Sequence, residues 1–187
     1  NSDILELLKY ASFGIPRAFI GLLRSYNAAK GTLQKKFNEV VESHCNLIKK
    51  EYLSLSQKLP QYKGIIEIGF IFFEKAIDDL SIENTRLQNE KNMIIGIEKE
   101  SLNKRIYERM VLFLKEAGLI YVYSNIKHGP NREYLRYGPH LLFLLKNRAF
   151  SGKSRGFNPG EIVDKIKAKS TKHPLRRTIE TLLSDIE

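Results

Sequence analysis

The sequence predicts a mainly α-helical chain carrying one small β-hairpin. Three observations predict it. Apolar residues recur every three or four positions from Leu33 to Leu55, the period of one long amphipathic helix. Residues 64–80 are apolar on all sides, the mark of a helix in the middle of a core. Two β-rich runs, Leu119–Tyr123 and Glu133–Tyr137, flank a polar turn from Ser124 to Arg132 that contains Gly129-Pro130-Asn131, and together they read as a hairpin.

Taken in order, Ser2 or Asp3 caps a short helix with Ile4, Leu5, Leu7, Leu8 and Ala11 on its apolar side, which Gly14 ends. Pro16 stands where a first-turn proline belongs, and Phe19, Leu22, Leu23 and Tyr26 continue a second helix until Gly31. The long helix follows over 32–58, with Phe37, Val41, His44, Ile48 and Tyr52 on its stripe, and Leu59-Pro60 closes it. After the core helix, residues 82–92 are polar, and Met93–Ile97 reads as a short strand. Ser101 caps the next helix, whose stripe is Leu102, Ile106, Met110, Phe113, Leu114 and Ala117, and Gly118 stops it. Beyond the hairpin, Gly138-Pro139 opens a helix through Leu141–Leu145. Two small amphipathic helices are expected at 160–169 and 175–186, in a Gly- and Lys-rich tail. Three segments result: 1–58, 60–150 and the basic helical tail 151–187.

Charge narrows the partner. The net charge of +10 is uneven: residues 1–63 hold ten basic and five acidic side chains, 64–123 eight and ten, and 124–187 thirteen and six. Positive charge on both flanks of a near-neutral middle favours a polyanion through counterion release; the plainer alternative is a solvated, soluble face. The longest apolar stretch, Ile65–Phe73, is interrupted by Glu67 and is too short to span a bilayer, so no membrane partner is expected. No secretory pattern opens the chain, and the single cysteine, Cys45, forms no internal disulfide. Both fit a reducing, cytoplasmic setting. Asn1 in place of an initiating Met suits an excised fragment.

The order core helix, short strand, capped helix, hairpin over 64–148 resembles a winged-helix domain. The run Phe113-Leu114-Lys115-Glu116-Ala117-Gly118-Leu119-Ile120 carries the likeness furthest, because a winged-helix recognition helix commonly turns at such a glycine into the first hairpin strand. The resemblance implies a nucleic-acid surface, with DNA the expected partner. The helix at 101–117 would offer Asn103, Lys104, Arg105 and Arg109, and the wing Lys127, His128, Asn131 and Arg132. Lys and Arg neutralise phosphates, and Arg and Asn read base edges. The alternatives are a solvated face in which Glu100 supports Lys104, or an acidic protein surface as partner. Glu108 and Glu116 on the same helix weaken the DNA reading.

Ala11-Ser12-Phe13-Gly14-Ile15-Pro16-Arg17-Ala18, followed by Phe19-Ile20-Gly21-Leu22-Leu23-Arg24, resembles the sensor 2 region in the lid of AAA+ ATPases, particularly the origin-recognition-type and helicase-loader branches. Phe13 is bulkier than the usual residue there. The resemblance implies that Arg17 senses nucleotide, as a guanidinium aimed at a γ-phosphate. A lid followed by a winged helix is a common C-terminal arrangement in that family, so the ATPase core and its ATP would lie upstream of Asn1. The chain itself would then be a non-catalytic binding module that couples partner binding to nucleotide state. A protein-docking or oligomerisation scaffold, working through the 32–58 helix and the tail, is the rival; a free-standing winged-helix transcription regulator is a third reading.

Other chemistry is not encoded. Gly152-Lys153-Ser154 resembles the end of a P-loop, but the loop needs a glycine where Asn147 stands. His44, His128, His140 and His173 lack metal-ligand spacing. His44 belongs on the buried stripe of its helix, satisfied by a hydrogen bond. Asp78-Asp79 is not a poised carboxylate pair, and Cys45 reads as a small buried hydrophobe. No catalytic residue, metal or cofactor is expected in this chain. The basic run Lys165–Arg177 either tracks a phosphate backbone or an acidic surface, or is a solvated hinge.

Overall fold

The computed structural model describes residues 2–87, 92–128, 132–150, 157–168, 175–177 and 179–183. Helices α1 (Ser2–Ala11), α2 (Pro16–Ala28) and the long α3 (Leu33–Lys58) lead through a single 3-10 turn, Pro60–Tyr62, into α4 (Lys63–Arg86). Strand β1 (Ile95–Glu98), a 3-10 segment (Lys99–Asn103), helix α5 (Arg105–Glu116) and strands β2 (Ile120–His128) and β3 (Arg132–Pro139) follow. The chain continues through α6 (Leu141–Lys146), α7 (Pro159–Lys167), β4 (Leu175–Arg177) and α8 (Ile179–Leu183). The protein is therefore mainly helical, with a small sheet in the order β2-β3-β1-β4. The first three strands pair antiparallel, and β4 lies parallel to β1.

Helix α4 is the centre of the core. Ile66, Phe70, Phe72, Phe73, Ala76, Ile77 and Leu80 are buried on it, against Phe37, Val41, Cys45 and Tyr52 of α3, Met110, Val111 and Leu114 of α5, and Leu141–Leu144 of α6. It is not apolar all round, since Glu67, Ile71, Glu74 and Asp78 form a narrow exposed stripe. Burial of so many large apolar side chains, at roughly 1.5–3 kcal/mol each, is what holds the helices together. Gly69 allows the closest approach: a Cβ there would sit 2.6 Å from the Tyr52 hydroxyl and 3.1 Å from Met110 Cγ. Ile4, Leu7, Leu8 and Ala11 of α1 and Val163 and Ile166 of α7 extend the same core.

Several sequence expectations need correction. Helix α4 runs to Arg86 rather than stopping at Leu80, because buried Asn84 clips its end to the segment that leads into β1. The Asn84 amide donates to the Asn92 carbonyl at 2.8 Å and accepts from the Asn92 N–H at 2.6 Å. The turn expected from Ser124 to Arg132 is mostly strand. Lys127 pairs with Glu133 and Asn125 with Leu135, since a two-stranded ribbon satisfies its backbone whatever side chains it carries into solvent. The tail is not wholly helical either. Residues 175–177 pair along the open edge of β1, where unpaired backbone groups outweigh local helical pattern. Leu5, placed on the apolar side of α1, is 47% exposed. Gly152, Lys153, Ser154 and His173 lie outside the described residues.

Helix ends follow from local chemistry. Thr32 caps α3 by accepting from the Lys35 N–H at 3.3 Å. At the end of α5, Leu119 N–H reaches the Leu114 carbonyl and Gly118 N–H the Lys115 carbonyl, both at 2.9 Å, a Schellman turn that needs the left-handed φ of +71° at Gly118. The end of α1 is closed by the same pair of bonds, but the left-handed position falls on Phe13 (φ +53°), one residue before Gly14 (φ +69°). A bulky residue there is strained. Its ring is compensated by edge-on contacts with Tyr121 at 5.3 Å and His140 at 4.8 Å, which tie the α1–α2 turn to the base of the hairpin. Among the described residues, no helix is long and apolar enough to cross a membrane.

Candidate nucleic-acid interface

The residues named for nucleic-acid contact fall on the 3-10 segment, on α5 and on the hairpin. Ser101 does not cap α5, because the 3-10 turn Lys99–Asn103 intervenes and Lys104 takes the cap position without a side-chain cap bond. The buried face of α5 is rotated from the expected stripe: Met110, Val111 and Leu114 are inside, whereas Ile106 is 48% exposed. Asn103 and Arg105 are exposed, and no described residue pairs with the Arg105 guanidinium. Arg109 is only half-exposed and lies over the Tyr62 ring, 4.9 Å from its centroid, so part of its charge is engaged in packing.

Lys104 is held, but not by Glu100. Its ammonium donates to Glu180 Oε1 of α8 at 2.8 Å and lies 5.2 Å from the centre of the Tyr107 ring. Ser101 Oγ donates to the other Glu180 oxygen at 3.4 Å. The hydrogen bond from Lys104 draws the Glu180 carboxyl below its ordinary pKa, and the same bond raises that of Lys104.

On the hairpin, Lys127 is exposed, and Arg132 is exposed with Glu98 3.9 Å away. Glu133 is engaged by Lys99 at 2.9 Å. His128 is the last residue of β2, and Asn131 lies outside the described residues. In the tail, Lys165 turns inward to donate to the Phe150 carbonyl at 3.1 Å, and Lys167 pairs with Glu6 of α1 at 2.8 Å. Lys165 is buried against the segment that follows α6, and Lys167 stays exposed beside Glu6.

Arg17 is the second residue of α2, directly after Pro16, and its exposed side chain has no partner among the described residues. Only Leu22 of α2 is fully buried, and Ile15 and Ile20 are 55% and 46% exposed. Four further polar groups are engaged by the fold. His44 is half-buried and hydrogen-bonded to Ser25 Oγ at 3.1 Å; burial lowers its pKa. Cys45 is buried, and desolvation pushes its thiol up to about 12. Asp78 accepts from the Asn147 amide at 2.9 Å. His140 is largely desolvated, which lowers its pKa to about 4. A cavity of about 580 Å³ between α1, α7 and β2 is lined by Tyr10, Phe13, Met93, Tyr121 and Ile166.

Neither protein-family models, nor curated proteins, nor solved structures yield a match to this chain.

Ser101 and Glu180 are the participants that sequence reasoning missed as a pair. They stand 79 positions apart, with α5, the hairpin, α6 and α7 between them, and the pairing of β4 with β1 brings them together.

Proposed function

We propose that the chain is a nucleic-acid-binding winged-helix module preceded by a lid-type helical segment, of the kind that AAA+ ATPases of the origin-recognition type carry. The observation that carries this reading is the order of elements from Lys63 to Pro139. A core helix, a strand, a helical turn, a second helix and a hairpin follow one another, and the second hairpin strand pairs with the first strand. Arg105, Lys127 and Arg132 are among the exposed cations of that unit that would meet phosphates. The lid reading is supported by the left-handed turn at Phe13-Gly14, by Pro16 opening α2, and by Arg17 after it, which has no partner among the described residues. In this reading Arg17 is the side chain through which the module responds to ATP bound to an ATPase core. The chain contributes binding, not catalysis, in a cytoplasmic setting.

Fluorescence anisotropy with labelled duplex and single-stranded oligonucleotides tests the binding directly. Micromolar binding at 50 mM salt is expected. Neutralising about six phosphates would weaken it roughly 10³-fold by 200 mM.

A second reading has its own observation. The outer side of α5 carries Ile106 and Leu112, 48% and 47% exposed, beside Glu108 and Glu116. Such a face suits a protein partner better than a phosphate backbone. Absence of nucleic-acid binding even at low salt would favour it.

A further inference from the structure

We propose that the C-terminal segment 175–183 is a built-in competitor for nucleic acid, in which the Glu180 carboxylate holds Lys104 in the place of a backbone phosphate and must release it when nucleic acid binds. This rests on the nucleic-acid reading above.

The segment is positioned by the fold. Leu175–Arg177 pair in parallel register with Ile95–Ile97 at the sheet edge, and Ile179 is fully buried. Glu180 therefore stands beside the start of α5 because its neighbour is anchored, and its two oxygens meet two donors there, Lys104 Nζ at 2.8 Å and Ser101 Oγ at 3.4 Å. An ammonium and a hydroxyl converging on two oxygens is also how a phosphate is held.

The contact is built to exchange. The Lys104 and Glu180 side chains are 60% and 42% exposed, and an ion pair in that environment is weak and screened by salt. A phosphate can replace the carboxylate while β4 and Ile179 stay docked. The cost of displacement falls on affinity.

The test uses the full chain and a labelled 20-base-pair duplex at 50 mM salt. Four proteins are compared: the parent, Glu180→Gln, Lys104→Gln and the double variant. Freed from its competitor, Glu180→Gln should bind about fivefold more tightly, the upper end for an exposed pair. In the Lys104→Gln background the same change should alter affinity less than about 1.5-fold, because the competed cation is gone. An equal gain in both backgrounds would mean that Glu180 acts only through net charge, and overturns the proposal. So does an unchanged or weakened affinity for Glu180→Gln. If the parent binds and is weakened by replacement of Lys127 and Arg132, yet ignores Glu180, only the competitor fails. If neither the parent nor Glu180→Gln binds, the nucleic-acid reading fails with it.

Discussion

His140 makes the protein's stability depend on pH in a way that one substitution isolates. Its ring lies between Phe13 and Phe143, with centroids 4.8 and 6.2 Å away. Its Nδ1 accepts from the Leu142 N–H at 3.3 Å and caps α6. Protonation would turn that acceptor into a donor and place a charge among aromatic rings. Burial accordingly lowers the pKa from 6.5 to about 4. The unfolded chain then binds the proton more readily than the folded one, so stability is full above about pH 6.5 and falls as pH drops towards 4. A gap of that size corresponds to about 3 kcal/mol, with about 2 kcal/mol already lost by pH 5. The comparison is His140→Asn, whose amide oxygen can still accept from Leu142 but does not titrate. Urea unfolding followed by circular dichroism at pH 7, 5.5 and 4 gives the difference between the two proteins. His44, also lowered by burial, and Asp78, raised by it, contribute to both and drop out. The variant should be less stable at pH 7, where the ring packs. The parent's advantage should shrink by about 3 kcal/mol on acidification. A difference that stays constant across pH would refute the reasoning, since His140 would then titrate alike in both states.

Three further outcomes follow from named contacts. Gly69→Ala should destabilise the protein by about 1–3 kcal/mol despite the roughly 1 kcal/mol that alanine gains in a helix, and adding Tyr52→Phe should restore much of it, because the Tyr52 hydroxyl is buried without a hydrogen bond to any described residue and is the atom in the way; thermal unfolding of the two single variants and the double variant checks this. Replacing Lys127 and Arg132 together by Gln should weaken duplex binding uniformly across sequences and flatten the log–log salt slope by about 2, one for each phosphate no longer neutralised. Arg17→Ala should change stability by less than about 0.5 kcal/mol, as befits an exposed side chain with no partner among the described residues, yet sharply reduce ATP hydrolysis by an ATPase containing this segment; normal hydrolysis by the folded variant would reduce Gly14-Ile15-Pro16-Arg17 to a helix start.

What could be read in advance was whatever local chemistry decides. The 3.6-residue stripe from Leu33 to Leu55 becomes α3, and Gly118 ends α5 because a left-handed residue is required there. The hairpin was legible from its β-rich runs. Features decided by distant partners were not. Helix α5 offers two usable apolar stripes, one through Ile106, Met110 and Phe113 and one through Tyr107, Met110, Val111 and Leu114; packing against α4 selects the second. Strand β4 depends on an open edge at β1, and the extension of α4 depends on the Asn84 clip. The strain at Phe13 was visible only as an unusually large residue in the lid-like motif. Its contacts with Tyr121 and His140 belong to tertiary structure.

The same limit governs the charge. A net +10 says that the chain will attract polyanions but not where they settle. Folding distributes the positive side chains between two roles. Lys49 pairs with Glu74, Lys99 with Glu133, Lys104 with Glu180 and Lys167 with Glu6, and each of those pairs joins two different parts of the fold. Arg17, Arg105 and Lys127 are left without described partners. A paired exposed lysine is still open to a ligand, because its carboxylate can be exchanged at small cost, but the exchange must be counted against binding. An unpaired arginine meets a phosphate without that cost. If the chain binds nucleic acid as proposed, the cations that matter most for affinity are those that the fold leaves unanswered, and those for regulation are the ones it answers weakly. Lys104 belongs to the second group, Arg105 beside it to the first.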